Sequence, residues 1–159
     1  MGSQAAHTYF TYRTACGPLT LMATGDALVR VAPGEVTLAG EKRAAAVTND
    51  AATQIMEYLA GKRTVFDVPF AFEAGSAFQQ QVWKTLLTSP YGQVRTAAEV
   101  AALMGAPDSF RAVGSALKKN PLPFLIPAHR IVNARNTIDG TDALATLYRL
   151  CLDLERRFA

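Results

Sequence analysis

Asn120-Pro121-Leu122-Pro123-Phe124-Leu125-Ile126-Pro127-Ala128-His129-Arg130-Ile131-Val132 is the stretch on which the reading of this chain turns. Its centre sets an alanine directly before a histidine and an arginine. An alanine methyl has no lone pair and no ionisable proton, so Ala128 can be neither nucleophile nor acceptor under any neighbouring base. Immediately upstream, Phe110, Val113 and Leu117 recur at helical spacing, with Asp108 as a candidate cap and Lys118-Lys119-Asn120 near the end. Before that, Thr96-Ala97-Ala98-Glu99 reads as a Thr-x-x-Glu capping box opening a helix of about ten residues, with Val100 and Leu103 facing inward before Gly105. Two short helices joined through a glycine turn make a helix-turn-helix candidate.

Further towards the N-terminus, Phe78, Val82, Leu86 and Leu87 mark one buried helix face that ends at Pro90-Tyr91-Gly92. The first part of the chain has a different character. Thr8 to Thr14 alternates around Tyr9, Phe10 and Tyr12, Cys16-Gly17-Pro18 breaks it, and Leu19 to Thr24 and Ala27 to Val31 flank the turn pair Gly25-Asp26. A small antiparallel sheet is expected there. Residues 49 to 60 look helical, with Ile55, Met56 and Leu59 on one side and Gly61-Lys62 closing the helix. Val65 to Phe72 is apolar, extended and interrupted by Pro69, which suits a connecting strand and linker. The fold class is thus α/β of the α+β kind, divided into a sheet-bearing domain over 1–72 and a helical domain over 76–159.

At 159 residues and 50% hydrophobic, the chain can bury a core without covalent staples. Cys16 and Cys151 lie too far apart for a metal or redox motif, and His7 beside Cys16 falls short of a structural zinc site, so no metal or cofactor is expected. The opening Met1-Gly2-Ser3-Gln4-Ala5-Ala6-His7 lacks the basic-then-apolar pattern of an export signal, and no 18-residue apolar run occurs. A cytoplasmic monomer without a membrane segment is the expectation, nucleoid-associated or, in a eukaryote, nuclear. The net charge of +3 is modest, but between 84 and 135 seven basic residues (Lys84, Arg95, Arg111, Lys118, Lys119, Arg130, Arg135) face two acidic ones, Glu99 and Asp108. A positive field confined to one half suits backbone phosphates, although charge alone describes a solvated basic face equally well.

Phe78-Gln79-Gln80-Gln81-Val82-Trp83, Pro90-Tyr91-Gly92-Gln93-Val94, Phe110-Arg111-Ala112-Val113-Gly114 and the tract from Asn120 to Val132 together resemble the C-terminal domain of the O6-alkylguanine-DNA alkyltransferases. Gly17-Pro18-Leu19 and Gly25-Asp26-Ala27-Leu28 fit that family's sheet-bearing domain more loosely. The resemblance implies that Arg111 is the finger entering duplex DNA through the minor groove as a nucleotide is extruded, a role suited to a long planar cation. Thr96, Ala97, Ala112, Gly114 and Ser115 would lie against the DNA, and Lys118 and Lys119 would meet phosphates. Asn120 resembles the family's hinge asparagine. His129 resembles its general base, oriented by Glu155 in Leu152-Asp153-Leu154-Glu155. Ala128 stands where Pro-Cys-His-Arg carries the acceptor thiol, so His129, Arg130 and Glu155 are expected to persist as a core network rather than a relay.

The sequence departs from the family's pattern in two further places. The resemblance implies a tyrosine after Thr96, where Ala97 stands. It also implies Gly-Tyr-Ser/Ala-Gly-Gly where Gly140-Thr141-Asp142-Ala143-Leu144 occurs. The implied guanine pocket, drawn from Ala97, Leu117, Pro127, Ala128, Ile131, Thr141 and Asp142, is therefore expected to be absent or enlarged. Cys151, in the apolar run from Leu147 to Leu154, has no basic neighbours to lower its pKa and is not expected to substitute as nucleophile. The leading expectation is a non-catalytic binder of double-stranded DNA that recognises alkylated guanine or other damage by base flipping and answers to excision-repair proteins. The alternatives are an O6-alkylguanine-DNA methyltransferase whose acceptor cysteine was replaced by alanine, and a regulatory or protein-interaction module that has lost DNA binding.

Overall fold

A computed structural model describes residues 6–159. Residues 1–5, within the segment read above as lacking an export signal, lie outside the described part. The chain divides into two compact units, one ending at Glu73 and the other spanning Ala74–Ala159.

The first unit is built on strand alternation. β1 (His7–Thr14), β2 (Gly17–Thr24) and β3 (Ala27–Pro33) form an antiparallel meander, and the two-residue β4 (Glu41–Lys42) runs parallel to β1, giving the order β3-β2-β1-β4. Gly17 and Gly25 take the two turns with φ of 97° and 59°, a left-handed conformation that costs glycine little. α1 (Ala46–Leu59) packs on β1, β2 and β3 through Val47, Ala51, Ala52, Ile55 and Tyr58. The Tyr12 hydroxyl ties sheet to helix, donating to Asn49 Oδ1 at 2.6 Å and lying 2.8 Å from Thr48 Oγ1. Burying Leu19, Leu21, Leu28 and Ile55 contributes roughly 1.5–3 kcal/mol each before chain entropy is charged. Gly61 N donates to Tyr58 O and Lys62 N to Glu57 O, so the helix stops where its glycine permits a left-handed turn. The segment after it is extended and holds β3 by one bridge, with Leu28 N donating to Pro69 O and Ala71 N to Leu28 O.

The second unit is mainly helical. α2 (Ala77–Leu86) begins at Ser76, whose hydroxyl accepts from Gln79 N while the Gln79 side chain accepts from Ser76 N. Its buried Val82, Trp83 and Leu86 face the core, and Trp83 Nε1 donates to Ala116 O at 2.9 Å, pinning α2 to α4 (Phe110–Lys118). β5 (Arg95–Thr96) leads straight into α3 (Ala97–Leu103), and a 3₁₀ turn over Pro107–Ser109 precedes α4. β6 (Ile131–Val132) pairs in parallel with β5, Thr96 opposite Val132, so the start of α3 stands beside the end of the 3₁₀ turn Ala128–Arg130. α5 (Ala143–Phe158) closes the unit, capped by Asp142, which accepts from Ala145 N at 3.1 Å. Among the described residues no helix is long and apolar enough to cross a membrane.

Several expectations need correction. α3 has 7 residues rather than about ten, and its last turn leaves the core, so Leu103 is 59% exposed instead of inward. Asp108 lies inside the 3₁₀ turn; the N-cap of α4 is Ser109, which makes no side-chain cap bond. Met56 and Phe110 are exposed because each sits at the edge of its helix's apolar stripe, and Leu87 because it lies one residue past the end of α2.

Candidate nucleic-acid interface

Of the seven basic residues between 84 and 135, Arg111, Lys118 and Lys119 lie exposed on α4, whereas Arg130 is buried against Glu155. On α4, Val113, Ala116 and the following Asn120 turn into the core, which leaves Arg111, Ala112, Ser115, Lys118 and Lys119 on a solvent-facing stripe at i, i+1, i+4, i+7 and i+8. Small residues in the middle of this stripe keep it flat between cations at either end. α3 starts with the expected capping box, Thr96 Oγ1 accepting from Glu99 N at 3.2 Å and Glu99 Oε1 from Thr96 N at 3.1 Å.

Gly114 sits mid-helix with ordinary helical φ, and a Cβ built on it would meet nothing within 4 Å. No packing within the chain therefore requires a glycine there. A glycine inside a helix costs about 1 kcal/mol relative to alanine, so the open space beside it is maintained against local stability.

Beside α4 lies a cavity of about 430 Å³, bounded by α3, the last turns of α4, the loop from Asn133 to Asp142 and the start of α5. Of the residues expected to form a pocket, Ala97, Leu117, Ala128, Ile131, Thr141 and Asp142 line it; Pro127 is buried and does not. Gly114 and Lys118 also line it, joining cavity to basic stripe. Sequence reasoning missed Tyr148, whose hydroxyl donates to Leu117 O at 3.1 Å and accepts from Asn120 Nδ2 at 3.1 Å. Burial pushes the Tyr148 phenol well up, so it stays protonated as that bridge. Its place seven residues before Glu155 on α5 was the one available signal. The loop wall is held by Arg149, which donates to Ile138 O at 3.0 Å and Gly140 O at 2.6 Å, and by Asn133, whose amide meets Thr137 and Asp139.

The tract from Asn120 to Val132 reaches the cavity through Ala128, Ile131 and Val132. Asn120 Nδ2 donates to Ile126 O at 3.0 Å and Asn120 Oδ1 accepts from Leu122 N at 3.0 Å, clamping the loop across its neck. Phe124 takes φ of 76°, a left-handed conformation uncommon for an aromatic residue, and is buried. Ala128 follows at 2% exposure. Behind it, Glu155 Oε2 lies 2.5 Å from His129 Nε2 and accepts from Arg130 Nη2 at 3.0 Å, while Oε1 accepts from Arg130 Nε at 2.9 Å and Gly92 N at 3.0 Å. Arg130 Nη1 donates to Ser89 O at 2.6 Å, and its guanidinium lies 5.6 Å from the centre of the Tyr91 ring. One carboxylate thus ties α5 to the 128–130 turn and to the turn after α2. Burial holds the His129 imidazole below its usual range, against the pull of Glu155 in the other direction. The arrangement favours a neutral ring at neutral pH. Cys151 is buried on α5 and does not line the cavity.

The DNA-binding domain of 6-O-methylguanine DNA methyltransferase matches residues 77–157, and that family's ribonuclease-like domain matches residues 8–72. The chain belongs to the 6-O-methylguanine DNA methyltransferase family of DNA alkyltransferases. The methylated-DNA–protein-cysteine methyltransferase of Mycobacterium tuberculosis H37Rv is 36% identical over 152 residues, 93% of this chain and 92% of that protein. A crystal structure of the M. tuberculosis O6-methylguanine methyltransferase superposes with a TM-score of 0.87 over 96% of this chain and 94% of that one, at 36% identity. A crystal structure of the M. tuberculosis protein in complex with DNA gives 0.85 at 35% identity, with the same coverage.

Proposed function

We propose that this chain binds double-stranded DNA through a helix-turn-helix made of α3 and α4, turns a damaged base, alkylated guanine foremost, into the cavity beside α4, and performs no alkyl transfer. The observation that carries this reading is Ala128 in the wall of that cavity, next to a basic helix face, with no thiol in the lining. A methyl cannot accept an alkyl group, whereas the exposed cations of α4 are available to phosphates. Arg111 is the finger that fills the gap left by the extruded nucleotide, and Lys118 and Lys119 engage phosphates. The protein in the similar M. tuberculosis complex is bound to DNA, which supports the same ligand here.

Asn120, His129, Arg130 and Glu155 act in this reading as the frame that positions the loop. Ala97, Thr141 and Asp142 bring no ring to the pocket, so the cavity admits bulkier adducts than a walled one. Lesion recognition without repair requires that an excision-repair protein act on the complex. The test is incubation with a duplex containing O6-methylguanine, read by fluorescence anisotropy and intact-mass spectrometry together. The reading expects binding with unchanged protein mass; a mass gain of one methyl group would make the chain a working transferase instead.

A further inference from the structure

Phe110, the first residue of α4, is 46% exposed directly beside Arg111. It does not belong to the basic stripe. Counting along the helix, Phe110, Gly114 and Leu117 recur at i, i+4 and i+7, so they share one row. Gly114 and Leu117 both line the cavity, and Phe110 stands one turn before them, outside the lining. Phe110 thus stands in the same row as two cavity-lining residues, one turn nearer the helix start, and the space beside Gly114 is open. Arg111 follows it by one residue, about 100° around the helix, which sets a flat apolar group and a flat cation side by side at one helix end.

We infer that Phe110 is an apolar wedge that stacks on the base flanking the extruded nucleotide, so that the duplex is held open by two side chains rather than by Arg111 alone. This rests on the DNA-binding reading above. The occupant of the exposed ring is DNA because the same helix end carries Arg111 and its far end Lys118 and Lys119, a charge pattern complementary to phosphate. Aromatic side chains inserted beside a base step take over the stacking that extrusion breaks, and every base offers a π face. Ala97, across the cavity, supplies no ring of its own.

The experiment places 2-aminopurine next to the lesion in a duplex and compares Phe110→Ala, Phe110→Leu and Phe110→Trp with the unaltered chain. Stacking predicts that Phe110→Ala weakens binding at least about fivefold and abolishes 2-aminopurine quenching, that Phe110→Trp keeps both, and that Phe110→Leu keeps only part. Melting temperatures check that each variant is folded, and the Trp variant carries the comparison if the Ala variant is not. Full affinity and quenching in Phe110→Ala, or in Phe110→Leu, overturns the inference. So does concentration-dependent self-association that Phe110→Ala abolishes, since the ring would then be covered by a second copy. Lys118→Glu with Lys119→Glu separates the two levels: if that pair loses binding while Phe110→Ala does not, the DNA reading stands and the wedge falls. If the unaltered chain binds no duplex, both fall.

Discussion

Glu155 Oε2 meets His129 Nε2 at 2.5 Å in a site closed to solvent, while the same carboxylate takes Arg130 on both of its oxygens. The histidine next to Ala128 is thus held by Glu155 through its Nε2. Removing one member of a buried charged group leaves the others desolvated and uncompensated, which costs about 3–5 kcal/mol. Glu155→Ala should lower the free energy of unfolding by about that amount in urea titrations; a loss below about 1 kcal/mol would mean that Arg130 finds other partners.

Acid should act on the same group. Burial depresses the folded-state pKa of His129, so the unfolded chain takes up its proton first as pH falls. The stability this neutral ring contributes is complete above the unfolded value of 6.5 and declines below it, by up to about 1.4 kcal/mol per pH unit until the folded ring also protonates. His129→Gln should flatten the stability profile between pH 6.5 and pH 5 relative to the unaltered chain. An unchanged slope would place the acid sensitivity elsewhere.

Gly114 offers opposing effects in one substitution. Because its Cβ direction is empty, Gly114→Ala should stabilise the fold by about 0.5–1 kcal/mol, the usual difference between the two residues inside a helix. The same methyl should weaken duplex binding, since it intrudes where the helix approaches the groove. Thermal unfolding and anisotropy on one preparation measure both; a stabilised variant with full affinity would assign that space to no ligand.

Restoring the thiol should not restore the chemistry. Ala128→Cys places a sulfur next to His129 in the chain, but Ala97 and Thr141 bring no ring to the cavity to hold a base. Intact mass after incubation with O6-benzylguanine should show little or no adduct on the variant and none on the unaltered chain. Rapid stoichiometric labelling of Ala128→Cys would show that the pocket still holds guanine productively.

Much of this architecture is written in local signals. The Gly25-Asp26 turn, the Thr96–Glu99 capping box and the glycine after α1 each act within a few residues, and each forms where the sequence places it. Leu103 and Asp108 were misread because both lie near helix ends, where periodicity continues on paper after the chain has turned away from the core. β4 was not foreseen, since two charged residues pair with β1 only through a contact more than thirty positions away. Within the site, the cavity residues named from resemblance come together except Pro127, which is buried and does not line it. Tyr148 escaped notice because its role depends on the Leu117 carbonyl and the Asn120 amide, partners that no spacing rule connects.

The decisive measurement is a titration of labelled duplexes, one plain and one containing O6-alkylguanine, over a range of salt concentrations. Lys118 and Lys119 engaging phosphates predict that log affinity falls linearly with log salt at a slope of about −2. The alkylated duplex should bind more tightly, and Arg111→Ala should weaken both. Absence of binding to either duplex at low salt, or affinity indifferent to salt and to Arg111→Ala, would contradict the proposal that this chain retains the grip of its family without the chemistry.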